Sequence, residues 1–307
     1  MTAPTIESTN GIWLIAVFLE AILQGMGLLQ CFLYFIWYPR DPWIVKGTVI
    51  AMLVVECIQM GAAFSNVYAW LITGFGDFDN LDIIHREDML QLTALYLSTF
   101  IAQAHFARCI YQLHKRNIVL PVIVFLLAVI ALGGGIGQVI LATGVKRYSE
   151  LGKTSVTTNL QAAFALAADM LISFGLCWRL SQNRGGIQST NKILNFLIMT
   201  AINRGVFTVL LAGLNIVLFV SQPGTFYFML ALLISDKVYM NSMLAMLNTR
   251  QYAVQLPGTT LVEHISMSAF SAKNRTIQTG ISVSTVQETQ HDPVDRSLDK
   301  GGHFQAV

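Results

Sequence analysis

Charged side chains are scarce in this 307-residue chain. Asp, Glu, Lys and Arg together make up 12% of it, about half of the ~25% usual for soluble domains. The formal net charge is only +2, too small a bias to draw the chain to nucleic acid. Cysteine is scarce too. The four present, Cys31, Cys57, Cys109 and Cys177, all fall in apolar stretches, so no disulfide framework is expected and they read as small buried hydrophobes. Lys and Arg are missing from the first ten residues, and the first apolar stretch is too long for the h-region of a signal peptide, so it is expected to stay as a span. No nucleophile–base pair or metal-ligand constellation stands out, which argues against an enzyme, and no cofactor is expected.

Hydrocarbon fills the chain instead. Hydrophobic residues make up 54%, gathered into stretches near 12–36, 47–73, 90–113, 118–143, 157–181, 193–220 and 224–249. About 20 apolar residues in a helix cross roughly 30 Å of bilayer. The expected fold is therefore all-α: a polytopic membrane protein with seven transmembrane helices over 12–250 and a short extracellular N-terminus over 1–11. Turn chemistry punctuates the joins, as in Tyr38-Pro39-Arg40-Asp41-Pro42, Asn183-Arg184-Gly185-Gly186 and Ser221-Gln222-Pro223-Gly224. Past Arg250 the composition turns to Ser, Thr, Gln and scattered charge, so 251–307 is expected to be a disordered tail with too little apolar surface to fold alone.

Basic residues set the expected orientation. Arg40, Lys46, Lys115, Arg116, Arg179, Arg184, Lys192 and Arg250 flank one side, against Arg86, Lys146, Arg147 and Lys153 on the other. That bias places the N-terminus outside and the tail in the cytosol, with the plasma membrane as the expected location. A cytosolic tail would leave the sequon at Asn274 unmodified and offer Ser266, Ser268, Ser271, Thr276 and Ser297 to phosphorylation and to a cytosolic partner.

The few charges inside the spans carry the functional signal. Counting about 1.5 Å per residue puts Glu56, Asp169, Arg204 and Lys237 near the bilayer centre, with Glu20 higher in the first span. A charge at that depth costs at least ~2.5–3.5 kcal/mol, so it must face protein or water. Two acids and two bases suit two pairs, Lys237 with Glu56 and Asp169 with Arg204, either lining a polar cavity or fixing helix packing. In the seventh span, Lys237, Asn241 and Asn248 fall at i, i+4 and i+11, one helical face pointing inward. That face either lines a cavity or forms a hydrogen-bonded seam.

Three other features read as structural. Gly133-Gly134-Gly135-Ile136-Gly137 contains a G-x-x-x-G spacing for close helix approach. The loop Asp77-Phe78-Asp79-Asn80-Leu81-Asp82, with Glu87 and Asp88 beyond it, is acidic but lacks the glycine and terminal Glu of a calcium loop. His85, His105 and His114 lack zinc spacing and are expected at the surface or in packing.

The last span, Lys237-x-Tyr239-x-Asn241-Ser242-x-Leu244-Ala245-x-Leu247-Asn248-x-Arg250, resembles the terminal signature of a large group of fungal, mainly basidiomycete, integral membrane proteins whose shared domain has no known function. Tyr38-Pro39-x-Asp41 with Lys46, Gln103-x-x-Phe106-x-Arg108-x-Ile110-Tyr111-x-Leu113, Asp169 with the run to Leu180, and Ile202-Asn203-x-Gly205 extend the likeness over about 12–250. Asn191 and Arg204 depart from it, at positions where the group usually has an acid and a small polar residue. The resemblance implies seven helices and a fungal source but no activity.

Three functional expectations follow. A receptor-like sensor for an unknown small molecule fits the helix count, orientation and Ser/Thr-rich tail, although N-P-x-x-Y, hinge prolines in the last two spans and a cysteine pair in the outer loops are all missing. A small-solute or proton-linked transporter would use the midplane charges, although seven spans do not divide into equal repeats. A retinal-type photoprotein would use Lys237, but Leu233 stands four residues before it and the third span offers no carboxylate counterion. The one partner common to all three is the lipid bilayer.

Overall fold

The computed structural model describes residues 5–77, 79–113, 118–182, 188–222 and 225–250. Among them it contains seven α-helices and no strand: α1 (Ile12–Trp37), α2 (Trp43–Tyr68), α3 (Arg86–Leu113), α4 (Val119–Val145), α5 (Ser155–Gln182), α6 (Gln188–Ser221) and α7 (Tyr227–Asn248). The expected spans lie within these helices to within a few residues. Where they differ, the helix is longer than its apolar part. The first turn of α3 holds Glu87 and Asp88, acids that suit the positive end of the helix dipole. Pro42 immediately precedes α2 and supplies the fixed φ that lets a helix begin at Trp43. The predicted tail, its sequon and serines, the 183–186 turn and Pro223-Gly224 lie outside the described residues.

Six of the helices or their extensions are long and apolar enough to cross a bilayer. The exception is α3, which has 28 residues and hence about 42 Å of length, but carries Gln91, Ser98, Thr99, Gln103 and His105 along its course. All five of these are buried. The reason lies in the packing: α3 contacts α2, α4, α5 and α7, so its polar side chains meet protein instead of lipid. The helices close into a circuit in chain order, with α7 returning to α1. Large apolar side chains such as Phe18, Phe32, Phe64, Phe207 and Leu210 stand exposed around it, a surface suited to hydrocarbon.

Two glycines of α4 permit close helix approaches. A Cβ on Gly134 would sit 2.8 Å from Leu160 Cδ2 and 3.1 Å from the Gln161 backbone nitrogen, and one on Gly135 would strike the Tyr96 ring. Thus α4 leans on α5 through Gly134 and on α3 through Gly135. The expected G-x-x-x-G pair, Gly133 and Gly137, is not what makes this contact. Gly133 is exposed with nothing near it, and Gly137 meets only a Thr157 methyl at ordinary range.

The acidic loop between α2 and α3 ties two connections together. Asp82 accepts hydrogen bonds from Ser149 N and Ser149 Oγ, both at 2.8 Å, and lies 3.6 Å from Arg147. Ile84 N donates to Lys146 O beside it. Among the described residues, no group of three His, Cys, Asp or Glu side chains converges as a metal site.

The packing of α4 yields a paired prediction. Gly134→Val should destabilise the folded chain in detergent by about 1–3 kcal/mol through overpacking. Gly133→Val, one residue away on the exposed face, should leave the thermal midpoint unchanged or slightly raised.

Candidate functional site

The site forms because α7 has no lipid-only face. Half of its apolar window is buried, against a third or less in the other five apolar spans. Successive residues turn about 100° around a helix. Asp236, Lys237 and Tyr239 therefore address different neighbours, and each meets a charged or polar partner.

Lys237 faces α1 and α2. Its Nζ donates to Glu56 Oε2 and, at 2.7 Å, to Gln59 Oε1. Glu20 Oε1 lies 3.6 Å away and also accepts from Gln59 Nε2. Asp236 faces α3, where its Oδ1 meets Ser98 Oγ, while its Oδ2 lies 3.8 Å from the Lys237 ammonium. All four ionisable groups are 0% exposed.

Tyr239 faces α5. Its hydroxyl donates to Asp169 Oδ2, while Asp169 Oδ1 accepts from Arg204 Nη2 at 2.8 Å and Gln103 Nε2 at 3.2 Å. The Arg204 guanidinium also lies over the Phe106 ring at 3.9 Å and the Tyr239 ring at 5.3 Å, a stacking that a lysine ammonium would not reproduce. Both expected ion pairs are thus present in the structure, in two separate centres that share α7.

A third ionic contact closes the C-terminal end of α7. Arg250 grips Asp41 in a two-pronged pair, Nη2 to Oδ2 at 2.6 Å and Nη1 to Oδ1 at 3.1 Å. The Tyr34 hydroxyl donates to the same Asp41, and the guanidinium lies 4.0 Å above the Tyr38 ring. Residues from both ends of the helical region meet here.

Asn241 and Asn248 take the second of the two parts their spacing allowed. Asn241 Nδ2 donates to Leu23 O at 3.1 Å and Asn241 Oδ1 accepts from Gln30 Nε2 at 3.0 Å. Asn248 Nδ2 donates to Gln30 O at 2.8 Å. The polar stripe below Lys237 is a hydrogen-bonded seam between α7 and α1, so these two asparagines are not placed with the charges.

Sequence reasoning did not place Asp236, Gln59, Ser98, Gln103 and Tyr239 in the site, and it set Glu20 too high to join. Asp236 gave a signal in being a second ionisable residue beside Lys237. The others are neutral, and neutral polar residues inside spans are too common to single out without a neighbour in view.

Residues 165–252 match a family of unknown function (DUF6534), a stretch running from within α5 through α6 and α7. No curated protein and no solved structure matches the chain. The matched stretch holds Asp169, Arg204, Asp236, Lys237 and Tyr239; Glu20, Glu56 and Gln59 come from helices before it. The chain is an integral membrane protein by its apolar helices, and the matched family assigns it no activity.

A further buried carboxyl lies at the N-terminal end of α3. Asp88 lies in the first turn of α3, before its apolar run, and accepts from Asn66 Nδ2 and from His85 N at 2.8 Å. Beside it, Trp13, Trp70, Tyr148 and Phe226 pack ring on ring with centroids 4.9–5.9 Å apart. Burial pushes the Asp88 carboxyl up from its ordinary 3.8 to about 7, against the opposing pull of its hydrogen-bond donors. The folded chain therefore holds this proton to higher pH than the unfolded chain does, and stability must fall as pH rises from about 4 to about 7. Thermal unfolding of the full chain in detergent should show that decline. Asp88→Asn, which keeps an uncharged group there, should make that decline shallower by the share Asp88 contributes.

Proposed function

We propose that the protein is a receptor-like seven-helix sensor of the plasma membrane, N-terminus outside and C-terminus cytosolic, that responds to a small-molecule ligand. The resemblance over about 12–250 supports grouping it with the fungal seven-helix proteins. The observation that carries the sensor reading is enclosure: Lys237, Glu20, Glu56 and Asp236 are all fully buried. A solute path needs wetted walls, whereas a latch needs dry ones, where a charge pair is either made or costly to leave broken. Such a pair gives little net stability over apolar packing of the same volume. What it supplies is two discrete arrangements that a ligand can bias. In this reading α5, α6 and α7, joined through Asp169, Arg204 and Tyr239, shift together against α1 and α2.

The alternative, a proton-linked carrier, is favoured by one specific observation: three carboxyls surround the single Lys237 ammonium. A retinal-type photoprotein using Lys237 has less support, because Leu233 stands four residues before that lysine and α3 offers no carboxylate in its apolar run.

Spin labels decide between the first two. With native cysteines replaced, labels at Ile44 on α2 and Met199 on α6, both exposed, report the separation of the two halves. On the sensor reading, Glu56→Gln shifts that distance by on the order of 2–5 Å. Proteoliposomes holding a pH-sensitive dye then show no proton flux. Flux in the wild type, abolished by Glu56→Gln at unchanged distances, would establish the carrier instead.

A further inference from the structure

We infer that the centre formed by Glu20, Glu56, Asp236 and Lys237 is a proton-binding site that holds two protons per chain, one on Asp236 and one on Glu20. This stands whether the protein is a sensor or a carrier.

Charge counting is the first ground. Three carboxyls and one ammonium share a fully buried volume. With every carboxyl ionised, the centre would keep two uncompensated negative charges, each costing several kcal/mol away from water. Two protons bring it to neutrality. The neighbouring centre shows the contrast. Asp169 alone faces Arg204, and both its oxygens accept from donors, so it balances without a proton.

Hydrogen counting is the second, independent ground. Ser98 Oγ touches two oxygens, Leu95 O at 3.1 Å and Asp236 Oδ1. A hydroxyl has one hydrogen, and the Leu95 carbonyl can only accept. Both contacts are satisfied when Ser98 donates to Leu95 and a protonated Asp236 donates to Ser98. In addition, Glu20 Oε2, Glu56 Oε1 and Asp236 Oδ2 are buried without a hydrogen-bond partner. An unpartnered oxygen costs more on a buried carboxylate, which carries charge, than on a neutral carboxyl, and of the three only Glu56 has a direct bond to the ammonium to offset that charge.

The distribution of protons follows from the contacts. Glu56 makes the direct bond to Lys237 and is the anion of the pair. Glu20 and Asp236 lie farther out, at 3.6 and 3.8 Å, and keep their protons. The ionisable groups facing this centre are Glu20 from α1, Glu56 from α2 and Lys237 from α7, with Asp169 and Arg204 reaching it only across Tyr239. From α3 it meets the uncharged Ser98. Each proton is taken from water onto a carboxylate oxygen and returned to water, so no co-reactant is needed.

Infrared spectroscopy of the full chain in phosphatidylcholine bilayers tests this, in an Asp88→Asn background that removes the carboxyl at the start of α3. A carbonyl-stretch band from protonated carboxyls should be present at neutral pH. Asp236→Asn and Glu20→Gln should each remove about half of it, and the two together should abolish it. Lys237→Met, which deletes the cation, should raise it by about half as Glu56 also takes up a proton. Both amide replacements are near-isosteric, and the parent protein alone already decides the first point. No band in the parent, or a band that neither Asp236→Asn nor Glu20→Gln diminishes, would overturn the proposal.

Discussion

An ammonium group cannot sit in hydrocarbon alone, and the position of Lys237 in the last helix forces most of the arrangement around it. Its charge lies too deep for a four-carbon stem to reach the membrane surface, so anions must come to it. They come from α1 and α2, which brings the last helix against the first two and closes the circuit. The same helix repeats the device on its other faces. Tyr239 meets the Asp169–Arg204 pair of α5 and α6, and Arg250 clamps Asp41 in the turn between α1 and α2. Apolar packing is non-directional and would hold α7 in many rotations. These ionic contacts admit one.

The energetic meaning of such contacts lies more in specificity than in net stability. Replacing a buried ion pair by well-packed apolar side chains is often neutral or favourable, while removing one partner costs about 3–5 kcal/mol. A chain that keeps six charged-type side chains, Glu20, Glu56, Asp169, Arg204, Asp236 and Lys237, fully buried or nearly so around one helix gains a defined register and a set of interactions that can be broken cooperatively. Arg204 shows how much of its partner's environment depends on geometry. Its guanidinium is sandwiched near Phe106 and Tyr239 while its Nη2 reaches Asp169, so orientation matters as much as charge.

The helices and their order were legible because membrane spans announce themselves by length and apolarity. The polar α3 was legible too, since its turn signals and residual apolar run marked it even though its Gln, Ser and His content is explained only by enclosure. The two ion pairs could be read from depth and sign alone, because few charges exist and each needs an opposite. What depth could not resolve was rotation. Glu20 reaches inward along a side chain that spans the counted offset, and Asn241 and Asn248 share a face with Lys237 yet meet the α1 backbone, a contact that periodicity cannot distinguish from a cavity wall. Gly134 and Gly135, rather than the spaced pair around them, make the close approach for the same reason: spacing fixes a face and not which neighbour lies opposite.

A double-mutant cycle between α2 and α7 measures the central interaction directly. With Lys237→Met, Glu56→Gln and the pair combined, unfolding free energies of the full chain in detergent give the coupling between the two side chains. A held ion pair predicts that each single change is costly and that the combined loss falls short of their sum by about 1–3 kcal/mol. Strict additivity would mean that Lys237 and Glu56 do not depend on one another, and that α7 is held against α1 and α2 by packing alone.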